Sequence, residues 1–296
     1  IRTACYAGKR VSGALRAGQE PGRIIQGGIQ MLGKLIKHEF KSTARMFAAL
    51  YGVVLVITLI LKGIVEVQTV FKVDNTVLNM ITVVTIIAFV LGIIAIFLGS
   101  FVLVIKRFYD NMLKDEGYLS FTLPVRMGEH IAGKSIVGFA WMVISAVVAV
   151  LLVTILGLGH NEILNSVKEG IELGIKEMQE FGYTGYVVEL IFVLLLSCYS
   201  AIVMGYACFS IGQTLGKNKV LGAFVAYLII YFIMQIISSV AMVAIFGSNL
   251  DALNNADMGD AFFQPLMTFS LVLSIIQIVV YIAITNFMLK RKLNLQ

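Results

Sequence analysis

Charged residues divide this chain into six long uncharged blocks: Met46 to Leu61, Asn75 to Ile105, Ser135 to Asn161, Leu190 to Gly216, Val220 to Leu250, and Ala261 to Leu289. About 20 consecutive apolar residues cross the hydrocarbon core of a bilayer as a helix, and five of the blocks exceed that length. The first holds 16 residues. Its flanks Arg45 and Lys62 can lay their stems along the apolar surface and carry their charges outward, so the helix extends toward Val65. The pattern predicts an all-α, polytopic membrane protein with six transmembrane helices.

Two segments outside the blocks carry the helical period. Before the first block, Leu32, Leu35, Ile36 and Phe40 form an apolar face opposite Lys34, Lys37 and Lys41, the pattern of a short amphipathic interfacial helix. Between the third and fourth blocks, Leu164, Val167, Ile171, Ile175 and Met178 recur every three or four residues among Glu162, Glu169, Glu172, Glu177 and Glu180. This acidic helix is expected to lie against the outer mouth, first as a solvated cover over the spans and second as a site for a substrate or partner.

Composition strengthens the membrane assignment. The chain is 59% hydrophobic and 14% charged, against roughly 45–50% and about 25% for a soluble domain. A net charge of +6 could suggest nucleic acid, but residues 1–30 alone contribute +4 of it. Placement of the bases is more informative. Fourteen Lys and Arg residues fall in segment 31–45, the second and fourth connections and the C-terminal tail; only Lys62, Lys72, Lys168 and Lys176 fall in the alternate connections. The positive-inside rule then puts both termini in the cytoplasm of a multi-pass protein of the cell membrane. Residues 1–30 lack the apolar stretch of a secretory signal and read as a non-native or disordered leader, with Met31 the expected start and 31–296 one six-span domain.

Catalytic and metal chemistry finds little footing. Cys198 and Cys208 share one block, about 15 Å apart on a helix, too far for a disulfide. His38, His130 and His160 are scattered and make no metal-ligand spacing, and no cofactor is implied. Gly128 to Ser135 fits the phosphate-binding P-loop pattern, but such a loop joins a strand to a helix within an α/β domain. Here it runs straight into a span, which leaves Lys134 as an ordinary flanking charge. The blocks contain no Asp, Glu, Lys or Arg, the residues that build proton relays in membranes. The chain is therefore not expected to be an enzyme, and any energy it uses must come from outside it. Hydroxyls and amides supply the polar content and read first as helix-packing contacts, with pore lining as the second reading and Gln235 and Gln277 its best candidates. Ala88 and Gly92, Ala95 and Gly99, and Ala201 and Gly205 recur four apart, a spacing that lets helices approach closely.

The connection from Lys106 to Lys134 carries five basic and four acidic residues. Its start, with Phe108, Tyr109, Met112 and Leu113 as an apolar edge ended by Gly117, suits a short helix that docks into a partner's groove. This stretch, "FYDNMLKDEGYLSFTLPV" followed by "GKSIVGFAWMVIS", and the opening "MLGKLIKHEFKSTARMF" resemble the six-span ABC-2 type permeases of Gram-positive anaerobes. The resemblance implies a permease subunit of an ATP-binding-cassette transporter, working as a homo- or heterodimer with a second permease subunit and driven by a separate ATPase subunit. It implies contact with that ATPase through His38, Glu39 and Phe40 in the first element. In the loop it points to Tyr109, Leu113, Asp115, Glu116, Gly117, Tyr118, Leu119, Thr122, Leu123 and Pro124. The alternative is a non-transporting membrane protein, a sensor or an immunity factor.

Overall fold

The computed structural model describes residues 21–71, 76–113, 127–158, 161–180, 184–214, 218–248 and 264–293. These form seven helices and no strand: α1 (Pro21–Phe71), α2 (Thr76–Leu113), α3 (Met127–Gly157), α4 (Asn161–Glu180), α5 (Thr184–Gly212), α6 (Lys219–Ser248) and α7 (Gln264–Leu293). All except α4 are long and apolar enough to cross a membrane, matching the six expected spans.

Helix boundaries differ from expectation at two places, for one reason. The amphipathic segment and the first span form a single helix, because no Gly or Pro interrupts Lys34 to Tyr51. It begins at Pro21, where a missing N–H costs nothing, so ten residues of the expected leader are helical. Likewise α2 runs unbroken to Leu113. The expected docking helix is thus the end of a span, and Phe108 and Met112 are buried in this chain's own core.

The spans pack as two sets of three. In the first, α1, α2 and α3 all touch one another. Thr43, Phe47, Val54, Thr58 and Leu61 form the buried face of α1, recurring at the spacing that keeps side chains on one side of a helix. Gly92 and Gly99 bring α2 close: an added Cβ would stand 3.0 Å from Val54 and 3.2 Å from Leu50. The alanines expected to pair with glycines contribute less, since Ala95 and Ala201 are exposed. Midway along the set, Ser145 of α3 donates to the Trp141 carbonyl at 2.8 Å. Its oxygen meets Tyr51 of α1 at 2.8 Å and Ser100 of α2 at 2.7 Å. With the Ser145 hydrogen already used, both neighbours must donate to its two lone pairs, so one hydroxyl joins three helices.

In the second set, α5 is the centre. Val203, Ala207 and Tyr281 form the buried core between α5 and α7, and Ser200 donates to the Gln277 amide oxygen at 3.1 Å. Gln277 is therefore engaged in helix packing, while Gln235 is exposed on α6. Contact between α5 and α6 rests on small residues. At Gly212 an added Cβ would lie 2.4 Å from the Ala223 backbone nitrogen, and Gly222, Ala223 and Ala226 are the buried positions of α6.

The two sets meet near the C-terminal ends of α2 and α5 and the start of α3. Phe108 stacks on Tyr206 with ring centroids 3.9 Å apart, Tyr109 tilts against Phe209, and Ser135 meets the Tyr199 hydroxyl at 2.8 Å. This end, which also carries Arg107 and Lys134, is the basic end of the bundle.

Candidate functional site

Position 39 on α1 continues the buried face of Thr43 and Phe47 by one more helical turn, which turns a carboxylate inward. Glu39 is 8% exposed. A buried ion is costly unless it is both paired and hydrogen-bonded, and Glu39 has both. Its Oε1 accepts from the Lys134 ammonium of α3 and from Asn111 Nδ2 of α2 at 3.3 Å. Its Oε2 accepts from Arg107 Nε of α2 at 3.3 Å. Arg107 also donates through Nη2 to Ser42 at 2.7 Å. One carboxylate thereby binds α1 to the end of α2 and the first turns of α3.

An aromatic stack sits directly below. Trp141, the single tryptophan, lies between Phe40 and Phe47 with centroid separations of 4.5 and 4.2 Å and nearly parallel rings. Its indole N–H donates to Thr43 Oγ1 at 2.8 Å, and Thr43 donates to the Glu39 carbonyl at 2.9 Å. Tyr206 of α5 donates to the Lys134 carbonyl at 3.3 Å, which extends the network into the second set. Gly138 makes this approach feasible, because a Cβ there would stand 2.5 Å from Val104 and 3.4 Å from the Tyr206 oxygen.

A cavity of about 20 Å³ lies among Glu39, Thr43, Arg107, Lys134, Trp141 and Tyr206. That volume holds about one water molecule, so the cluster is a structural junction and not a substrate chamber. Among the described residues no group of His, Cys, Asp and Glu could hold a metal ion.

The residues singled out by resemblance fall into three groups. Glu39 and Phe40 belong to the junction, whereas His38 is exposed on the other side of α1. Tyr109 and Leu113 are half-buried at the end of α2, Leu113 against the same core as Phe108. Asp115, Glu116, Gly117, Tyr118, Leu119, Thr122, Leu123 and Pro124 lie outside the described residues. Lys134, expected as an ordinary flanking charge, is 7% exposed and paired. It is the eighth residue of α3, which starts at Met127, so the P-loop look-alike is helical throughout. Sequence reasoning missed Arg107, Asn111, Thr43 and Trp141. The available signal was the spacing Glu39, Thr43, Phe47, which puts a lone carboxylate on the face that α1 buries.

No family model, no curated protein and no solved structure matches this chain.

Proposed function

We propose that this chain is the membrane-spanning permease subunit of an ATP-binding-cassette transporter. In this reading it resides in the cell membrane with the basic end and both termini cytoplasmic. It pairs with a second permease subunit and moves a substrate outward with ATP hydrolysed on a separate ATPase subunit.

The observation that carries the reading is the Glu39 junction. The segments that resemble ABC-2 permeases are far apart in sequence, yet Glu39 from the opening one is bonded to Asn111 inside the loop segment, to Arg107 directly before it and to Lys134 in the stretch that follows it. A push on the connection after α2 would reach α1 and α3 through charge-assisted bonds, and the second set through Tyr206. Such a junction suits a chain that receives mechanical work at its basic end and has no nucleotide site of its own. Because Phe108 and Met112 are occupied in the core, the ATPase would have to engage exposed His38 and residues 114–126.

The test is purification of the intact chain in mild detergent together with its candidate ATPase. ATP hydrolysis is expected only from the complex. Reversing charge with Asp115→Lys and Glu116→Lys together should weaken the complex while leaving membrane insertion intact. Hydrolysis by the chain alone would overturn the reading, and failure of any ATPase to bind would favour the sensor or immunity alternative.

A further inference from the structure

The described side chains of the acidic helix α4 lie largely open, where its sequence suggested a cover over the spans. Ile171 and Ile175, on its apolar side, are 57% and 48% exposed, and its principal neighbour is α3. In sequence the same apolar period continues at Leu164, Val167 and Met178, and among the described residues nothing covers Ile171 and Ile175.

Chain connectivity says what meets Ile171 and Ile175. Four residue steps join Gly157 at the end of α3 to Asn161, and four join Glu180 to Thr184 at the start of α5. Each connection can reach at most about 14 Å even when fully extended. Both ends of α4 are therefore held close to the ends of two membrane spans. A helix of 20 residues, about 30 Å long, tied at both ends to one bilayer surface, must run roughly along it.

We propose that α4 is an interfacial helix lying on the lipid surface opposite the basic end, with Ile171 and Ile175 in the boundary between headgroups and acyl chains. Its polar side fits that orientation. Lys168, Glu169, Glu172 and Lys176 are exposed, and Lys168 pairs with Glu172 at 3.9 Å. Leu173 is a single exposed apolar residue on that side, as most protein surfaces carry. Five glutamates against two lysines in the helix rule out attraction to anionic lipid as the driving force. Burial of the apolar stripe is the driving force, so the helix should sit equally well on zwitterionic lipid. The proposal rests on the six spans and is independent of the transport reading.

The experiment uses the full chain, with native cysteines replaced, in phosphatidylcholine vesicles. Single cysteines at Ile171, Ile175, Glu169 or Lys176 carry an environment-sensitive fluorophore, and size-exclusion behaviour verifies each variant's fold. Probes at 171 and 175 should be quenched by nitroxide on lipid chains, at a depth of about 5–10 Å, and protected from aqueous iodide. Probes at 169 and 176 should show the reverse, and adding anionic lipid should change neither pattern. Iodide access at 171 and 175 equal to that at 169 would overturn the proposal by placing the stripe in water. Shielding of 171 and 175 from both quenchers would overturn it by placing protein over the stripe. Two independent apolar positions keep the result decisive if one variant fails to fold.

Discussion

Both sets of spans are strongly apolar yet are held together by different means. In α1–α3 the contacts are made by large or polar side chains whose demands are mutually met: Glu39 by three donors, Trp141 by two rings and a threonine, Ser145 by two hydroxyls. In α5–α7 the α6 seam is made by absence of side chain, with Gly212 against the Ala223 backbone, while most large residues of α6 are exposed. Lipid removes the hydrophobic drive between helices, leaving packing and interhelical hydrogen bonds to hold them. The first set draws on both, and the described contact of α6 with α5 is one of close packing.

The largest expected effect comes from breaking the first set's charge balance. Glu39→Ala leaves Lys134 buried without its counter-charge, and losses of this type cost about 3–5 kcal/mol. Glu39→Leu combined with Lys134→Met should recover most of that loss, since Arg107 is 31% exposed and can turn toward water. Thermal unfolding in mild detergent, followed by reaction of buried Cys208 with a thiol dye, checks both. A double variant as weak as the single would show that the pair is not the source.

Next comes the α6 seam. Gly212→Ala places a methyl group against backbone, which cannot rotate away, and overpacking costs about 1–3 kcal/mol. At Gly205 the obstacle at 2.6 Å is the tip of Ile105, which can change rotamer, so Gly205→Ala should fall at the low end of the same range. Equal effects at 205 and 212 in the same unfolding assay would remove the distinction between side-chain and backbone contact.

Smaller still is Ser145→Ala, which strips the acceptor shared by Tyr51 and Ser100. Hydrogen bonds between helices in membranes average about 0.6 kcal/mol with a maximum near 1.7, and the loss should fall within that span. The smallest effect is expected for Gln235→Leu. An exposed position away from any packed contact should shift stability by no more than about 0.5 kcal/mol, whereas a large loss for the purified chain would mean that another surface covers this side of α6.

Six helical spans followed from the chain alone, because lipid forces every backbone polar group to be satisfied within its own helix and uncharged length then marks each span. The amphipathic periods at 32–40 and 164–178 were legible for the same reason: periodicity is local. Which apolar face meets which was not. Lys134 carries the same charge and flanking position as Lys106, yet it is buried while Lys106 is exposed, and only the approach of α1 decides between them. Glu39 was singled out with His38 and Phe40 only as a contact implied by resemblance, and it is the packing of α2 and α3 that brings it three donors. The paired glycines and alanines divided for the same cause, with Gly92, Gly99 and Gly205 at seams and Ala95 and Ala201 facing outward. Helix existence depends on neighbours within about four residues along the chain, whereas the charge junction joins residues as far apart as 39 and 134, and that separation is closed only by tertiary packing.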